Sequence, residues 1–162
     1  MEIEKKFLVK KLPKHLENYE KKEIEQGYLC TRPVVRIRKS NDSFFLTYKS
    51  GPLQEGGNDT RVNQEIEAPL SKEGYNHLRK KVDNHLISKT RYLIPLSDGH
   101  MGELDIFHEK LDGLYFIEVE FADEEDAMNF VPPEWFGENV SSDRRYANSF
   151  LSCCDNLDVF KK

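Results

Sequence analysis

The chain has 162 residues, enough for one domain that folds without a disulfide or metal staple. Its 24 Lys and Arg against 29 Asp and Glu leave a net charge of −5, which argues against a duplex nucleic-acid partner, and no apolar run approaches a membrane span. The charged opening Met1-Glu2-Ile3-Glu4-Lys5-Lys6 is unlike a signal peptide, and three cysteines without metal or disulfide spacing fit a reduced cytoplasm.

Alternation with period two predicts strands over 2–10, 22–31, 34–40, 43–50, 61–68, 86–94, 101–108 and 114–122. A short helical turn fits 13–17. The connection 50–59 carries Gly51, Pro52, Gly56 and Gly57 with no apolar period, and is expected to be the most mobile segment. Ser71 is placed to cap a helix reaching about Val82, and Asp123 a short acidic-started helix ending before Pro132-Pro133. Tyr146, Phe150 and Leu151 share one face of a third helix over 143–152. Residues 1–151 then form a single domain, and 152–162 a tail expected to fray. The fold class is α+β: a strongly curved or closed antiparallel sheet with a few helices outside.

Alternate strand residues share a face, and here one face is charged. It carries Glu2, Glu4, Glu65, Glu67, Glu103, Asp105, Glu118 and Glu120, together with Lys6, Arg36, Arg38, Lys49, Arg61, Lys89 and Arg91. Charged residues make up 33% of the chain against ~25% for an average domain, so the excess needs a place. On one strand such a face is ordinary solvated surface. On seven strands, with arginine pairs on one and carboxylate pairs on others, it indicates a barrel closed with its charges inward. Such an interior must be wet, balanced in sign, or filled by a charged ligand. Carboxylates without His or Cys select hard cations, Mg²⁺ or Mn²⁺ over zinc, and Arg and Lys select phosphate oxygens. Both in one cavity point to a metal-bridged polyphosphate.

These residues resemble the CYTH family, the triphosphate tunnel metalloenzymes. Glu2-x-Glu4-x-Lys6 matches the opening signature. Arg36-x-Arg38, Lys49, Glu65-x-Glu67, Lys89-x-Arg91, Glu103-x-Asp105 and Glu118-x-Glu120 follow in family order. Gln26-Gly27-Tyr28-Leu29, Pro132-Pro133-Glu134-Trp135-Phe136-Gly137-Glu138 and Asp143-Arg144-Arg145-Tyr146 look like the short bacterial branch, the inorganic tripolyphosphatases. The resemblance implies an eight-stranded antiparallel closed barrel with one Mg²⁺ on Glu2, Glu4, Glu118 and Glu120. Glu67 and Asp105, with Glu65, would help hold a second metal or its waters. Lys6, Arg36, Arg38, Lys49, Lys89 and Arg91 would cradle the triphosphate, joined by Arg61 and by Arg144 or Arg145. It also implies a catalytic dyad of Tyr28 and Lys89. A free tyrosine with a pKa near ~10 is a poor base, and a neighbouring ammonium favours its phenolate.

The leading function is metal-dependent hydrolysis of inorganic tripolyphosphate to pyrophosphate and phosphate. The alternatives are a nucleoside or thiamine triphosphatase, a class IV-type adenylyl cyclase, or a non-catalytic polyphosphate-binding module. The charge ladders read only the phosphates and do not rank the triphosphatases. The expected partner is a small-molecule triphosphate, and an exposed barrel flank is compatible with a homodimer. His15, His77, His85, His100 and His108 lack metal-ligand spacing and are read as surface or loop residues. Trp135 is read as a cap on the outer apolar layer.

Overall fold

The computed structural model describes residues 1–50 and 60–161. The expected mobile connection 50–59 lies, Ser50 apart, outside the described residues. Among the described residues there are ten strands: β1 (Glu2–Val9), β2 (Glu20–Thr31), β3 (Val34–Ser40), β4 (Ser43–Lys49), β5 (Arg61–Asn63), β6 (Glu65–Pro69), β7 (Asp83–Pro95), β8 (Met101–Phe107), β9 (Tyr115–Glu120) and β10 (Phe136–Asn139). They form one antiparallel sheet ordered β10-β1-β9-β8-β7-β2-β3-β4-β6, with β5 also paired to β1.

β5 and β6 are the two halves of the strand expected over 61–68, interrupted at Gln64. β5 pairs with β1 through Glu2–Asn63, Ile3–Val62 and Glu4–Arg61, while β6 pairs with β4. This broken strand therefore joins the two edges and closes the sheet into a barrel. With β5 and β6 as one stave and β10 an addition, the eight expected staves are accounted for. β10 pairs with the Phe7–Val9 end of β1, on the edge that β5 leaves free. Its four residues are too few to show alternation.

Three α-helices among the described residues lie outside or at one end: α1 (Lys72–Arg79), α2 (Glu124–Asn129) and α3 (Asn148–Leu151). Ser71 caps α1 by accepting from Gly74 N–H, and Asp123 caps α2 by accepting from Asp126 N–H, each satisfying a donor that the first helical turn leaves open. α1 buries Tyr75, whose hydroxyl donates to Glu25 Oε1 at 2.8 Å. The helix expected over 143–152 is two pieces, a 3₁₀ turn at Arg144–Tyr146 and then α3, parted by the extended backbone of Ala147. The early turn falls at Leu16–Asn18.

The core has two parts. Outside the barrel, Ile3, Phe7, Leu104, Ile117 and Val119 pack against Phe121, Ala127, Phe130 and Phe136. Lys5 lies on this outer face, its Nζ donating to the Ala127 carbonyl at 2.6 Å. The second part closes one end of the barrel. Ile87, Phe107 and Phe116 meet Tyr146 and Leu151 of the C-terminal segment. Fully burying side chains of this size stabilises by about 1.5–3 kcal/mol each. The inner face is thus apolar at one end and charged beyond it. The segment after Leu151, expected as a tail, finds cover for its apolar side chains. Leu157 and Phe160 pack on this cluster, with the Phe160 and Tyr146 rings 4.8 Å apart.

Candidate active site

Beyond the apolar end, the barrel encloses a cavity of about 110 Å³ whose lining divides by charge. Glu2 and Glu4 of β1 enter beside Glu118 of β9, Glu103 of β8 and Glu65 of β6. Arg36 and Arg38 of β3, Lys49 of β4, Arg61 of β5, Arg91 of β7 and Lys6 of β1 supply the cations. Strand alternation is the local cause. Each of these side chains is two positions from another inward residue or opposite one across a pairing, as in Lys6–Glu118, Tyr28–Arg36 and Arg91–Asp105.

On the acidic side the carboxylates crowd one another. Burial, with Glu118 and Glu2 nearby, pushes the Glu4 carboxyl well above the ordinary range against the pull of Lys49. Burial and the hydrogen bond that its protonated form donates to Glu2 bring Glu65 up to about 7. Burial would raise Glu118 too, but Lys6, Arg91 and Lys89 together hold it below the ordinary range. Lys49 Nζ lies 2.8 Å from Glu2 Oε1 and 4.0 Å from Glu65, serving as internal counter-ion. Glu2 Oε1 is nonetheless without an aligned hydrogen bond. Among the described residues no three His, Cys, Asp or Glu are gathered tightly enough to hold a metal. In chemistry the donor set fits a hard divalent cation: oxygen ligands only, with carboxylates so crowded that Glu4 is driven toward its neutral form without a cation.

The basic side shows the converse. Burial, with Arg36 and Arg91 close by, depresses the Arg38 guanidinium. Arg36 donates from Nη2 to Thr47 Oγ1 at 3.2 Å, while its buried Nε has no acceptor. Three arginines that repel one another and a spare donor suit an anion with several oxygens.

Arg91 and Glu103 of the lining belong to an ion cluster whose other members, Lys89 and Asp105, are fully buried. Asp105 Oδ2 accepts from Lys89 Nζ at 2.7 Å and Arg91 Nη2 at 3.0 Å, and Oδ1 from Arg91 Nε at 2.8 Å. Arg91 Nη1 reaches on to Glu103 at 3.0 Å. Burial, reinforced by Arg91 and Arg38, lowers Lys89 to about 7 against the pull of Asp105. Tyr28, 2% exposed, lines the cavity, and Gln26 Nε2 donates to its hydroxyl at 3.5 Å. Among the described residues no direct hydrogen bond joins Tyr28 to Lys89.

Not every expected residue reaches the cavity. Asp105, expected near a second metal, has both oxygens committed to Lys89 and Arg91. Glu67 and Glu120 are exposed and outside the lining; Glu67 contacts Thr47 at 3.5 Å. Arg145 turns away to Asp143, 2.6 Å from Nη2, and lies over the Phe160 ring. Arg144 is exposed over the Phe150 ring. The C-terminal segment instead contributes Ala147, Asn148 and Ser149, which carry no charge and no strand period to announce them. Gln26 was legible in principle, because it shares the inward parity of Tyr28.

The sequence matches the CYTH domain over residues 1–131. It is 38% identical over 154 residues to an inorganic triphosphatase of Nitrosomonas europaea, covering 93% of this chain and 96% of that protein. It is 33% identical over 157 residues to an inorganic triphosphatase of Acetivibrio thermocellus, covering 93% and 92%. A crystal structure of an inorganic triphosphatase superposes with a TM-score of 0.69 at 34% identity, covering 97% of each chain.

Proposed function

The chain belongs to the CYTH family, and from that premise we propose that it hydrolyses inorganic tripolyphosphate to pyrophosphate and phosphate within the barrel, with Mg²⁺ or Mn²⁺. The observation that carries this reading is the cavity divided by sign, with carboxylates crowded on one side and, among the described residues, a buried guanidinium nitrogen of Arg36 that has no acceptor on the other. The names of the relatives support the same substrate class.

Glu2, Glu4 and Glu118, with Glu65, are the residues that would hold the metal, and Glu120 lies near enough for Glu2 and Glu118 to raise its pKa. The metal, when bound, would neutralise charge on the phosphoryl oxygens. Arg36, Arg38 and Arg91 bind the phosphate oxygens, and Lys49 exchanges its carboxylate partners for phosphate. A water attacks the terminal phosphorus in line; its O–P bond forms as the bridging P–O bond breaks and pyrophosphate leaves. Tyr28 takes the proton of that water, with Lys89 as the second member of the dyad. The apolar end formed by Phe107, Phe116 and Tyr146 restricts water at the deep side of the cavity.

The test is phosphate release from purified protein with tripolyphosphate, ATP or thiamine triphosphate, each with Mg²⁺, Mn²⁺ or chelator. Metal-dependent turnover favouring tripolyphosphate is expected. Cyclic AMP from ATP without tripolyphosphate hydrolysis would assign a cyclase. Binding without turnover on any substrate would leave a polyphosphate-binding module.

A further inference from the structure

Lys89 and Tyr28 hold no direct hydrogen bond, yet they are joined. Asn148 Oδ1 accepts from Lys89 Nζ at 3.2 Å and from Gln26 Nε2 at 3.1 Å. The same Gln26 Nε2 faces the Tyr28 hydroxyl at 3.5 Å, the loosest link. The orientation of each amide is fixed by its partners. Gln26 is fully buried, and its Oε1 accepts from Arg38 Nε at 2.9 Å, so its NH₂ must point toward Asn148 and Tyr28. Two donors converge on one oxygen of Asn148, so that oxygen must face them.

We propose that Asn148 is a positioning residue, which holds the Lys89 ammonium toward the cavity and, through Gln26, fixes the Tyr28 hydroxyl relative to it. The inference rests on the assignment of Tyr28 and Lys89 to proton transfer made above. Lys89 is 0% exposed and does not line the cavity, whereas Asn148 does. Asp105 anchors Nζ from the ion cluster and Asn148 from the cavity wall. Without the amide oxygen, Lys89 would be held by Asp105 alone, and Gln26 would be free to turn from Tyr28. The segment that presents Asn148 is itself fixed: the Tyr146 carbonyl accepts from Lys6 Nζ at 2.6 Å, and Leu151 is fully buried. A rigid mount is what positioning requires.

The test compares Asn148→Leu, Asn148→Asp and Gln26→Leu with Tyr28→Phe and Lys89→Met in steady-state tripolyphosphate hydrolysis. Metal-free tripolyphosphate binding by calorimetry and the thermal midpoint accompany each. Asn148→Leu should lose on the order of 10²-fold in kcat with KM and binding within about twofold, as displacement of a reacting group by ~1 Å does. Asn148→Asp restores the accepting oxygen and should recover most of that loss. Gln26→Leu should lose kcat as Asn148→Leu does, and should also weaken binding because its Oε1 no longer holds Arg38. A raised KM at full kcat, or a kcat loss that Asn148→Asp does not relieve, would overturn the positioning role. Full turnover in Asn148→Leu while Tyr28→Phe and Lys89→Met are inactive would overturn this inference alone. Full turnover in Tyr28→Phe and Lys89→Met would overturn the dyad assignment, and this inference with it.

Discussion

Replacing Asp105 by Asn removes a fully buried carboxylate that pairs with both Lys89 and Arg91. Asn keeps one accepting oxygen, so one or two of the three charge-assisted hydrogen bonds are lost, at about 1.5–3 kcal/mol each. Their sum is an upper limit, because Arg91 keeps Glu103 and Lys89 can shed its proton. Breaking one side of a buried ion pair costs about 3–5 kcal/mol, and that range is expected here. With a urea m-value of about 2 kcal/mol/M, the midpoint should fall by about 2 M. The loss should also depend on pH. Lys89 titrates at about 7 in the folded protein against an ordinary 10.5, and without Asp105 its folded pKa falls further. Well above pH 7 the lysine is neutral in both folded proteins, so its share of the difference vanishes. Below about 7 the parent holds a paired ammonium, whereas the variant must bury an unpaired one or forgo the proton that its unfolded chain binds. The destabilisation is therefore largest near about pH 6 and shrinks as pH rises through about 7, with the Arg91 share persisting. Urea unfolding at pH 6, 7 and 8 reads this directly. A loss under about 1 kcal/mol, or one that grows with pH, would refute the reasoning.

Glu4→Gln should stabilise the metal-free protein at neutral pH by about 1 kcal/mol or more. The folded pKa of Glu4 is raised, so stability is lost as pH rises above about 4.5 and the unfolded carboxyl ionises. The same variant should lose most of the rise in Tm that Mg²⁺ or Mn²⁺ gives the parent; an equal rise in both would remove Glu4 from the metal site. Gly27→Ala places a Cβ 2.7 Å from Val82 Cγ1 and 2.9 Å from Leu86 Cδ2, and Val82 is stiff at χ1. About 1–3 kcal/mol of overpacking is expected in denaturant unfolding, and a neutral outcome would show that β7 yields there. Arg144→Ala and Arg145→Ala should each leave kcat and KM within about twofold, since neither side chain lines the cavity; a tenfold rise in KM would place one of them at the substrate.

Parity reveals which face a residue takes, not how deep it lies. That is why Glu2, Glu4, Arg36, Arg38, Lys49 and Arg91 were legible as cavity residues, whereas the depth of Lys89 and Asp105 was not. The inward positions Ile87, Phe107 and Phe116 continue the same ladders but are apolar, and they pack an end of the barrel that the charge pattern left blank. The C-terminal segment was misjudged for a different reason. Arg144 and Arg145 attract attention by charge, yet the extended backbone at Ala147 turns the uncharged Asn148 and Ser149 to the cavity instead. The break of the fifth expected strand at Gln64 interrupts no alternation, so only its two different partners reveal it.

That break has a consequence for how the wall yields. β5 is held to β1 across three residues, whereas β2 and β7 are bonded along most of their length. Local opening follows the sparsest hydrogen bonding, so the β5–β1 seam is the place where the ring parts at least cost. Glu2, Glu4, Arg61 and Asn63 border both that seam and the cavity. Among the described residues the shortest pairing within the ring therefore runs along its charged lining, away from the apolar end. Amide protons of β5 should exchange with solvent well before those of β7, and polyphosphate bridging Arg61 to the opposite cations would act as a stitch across the gap.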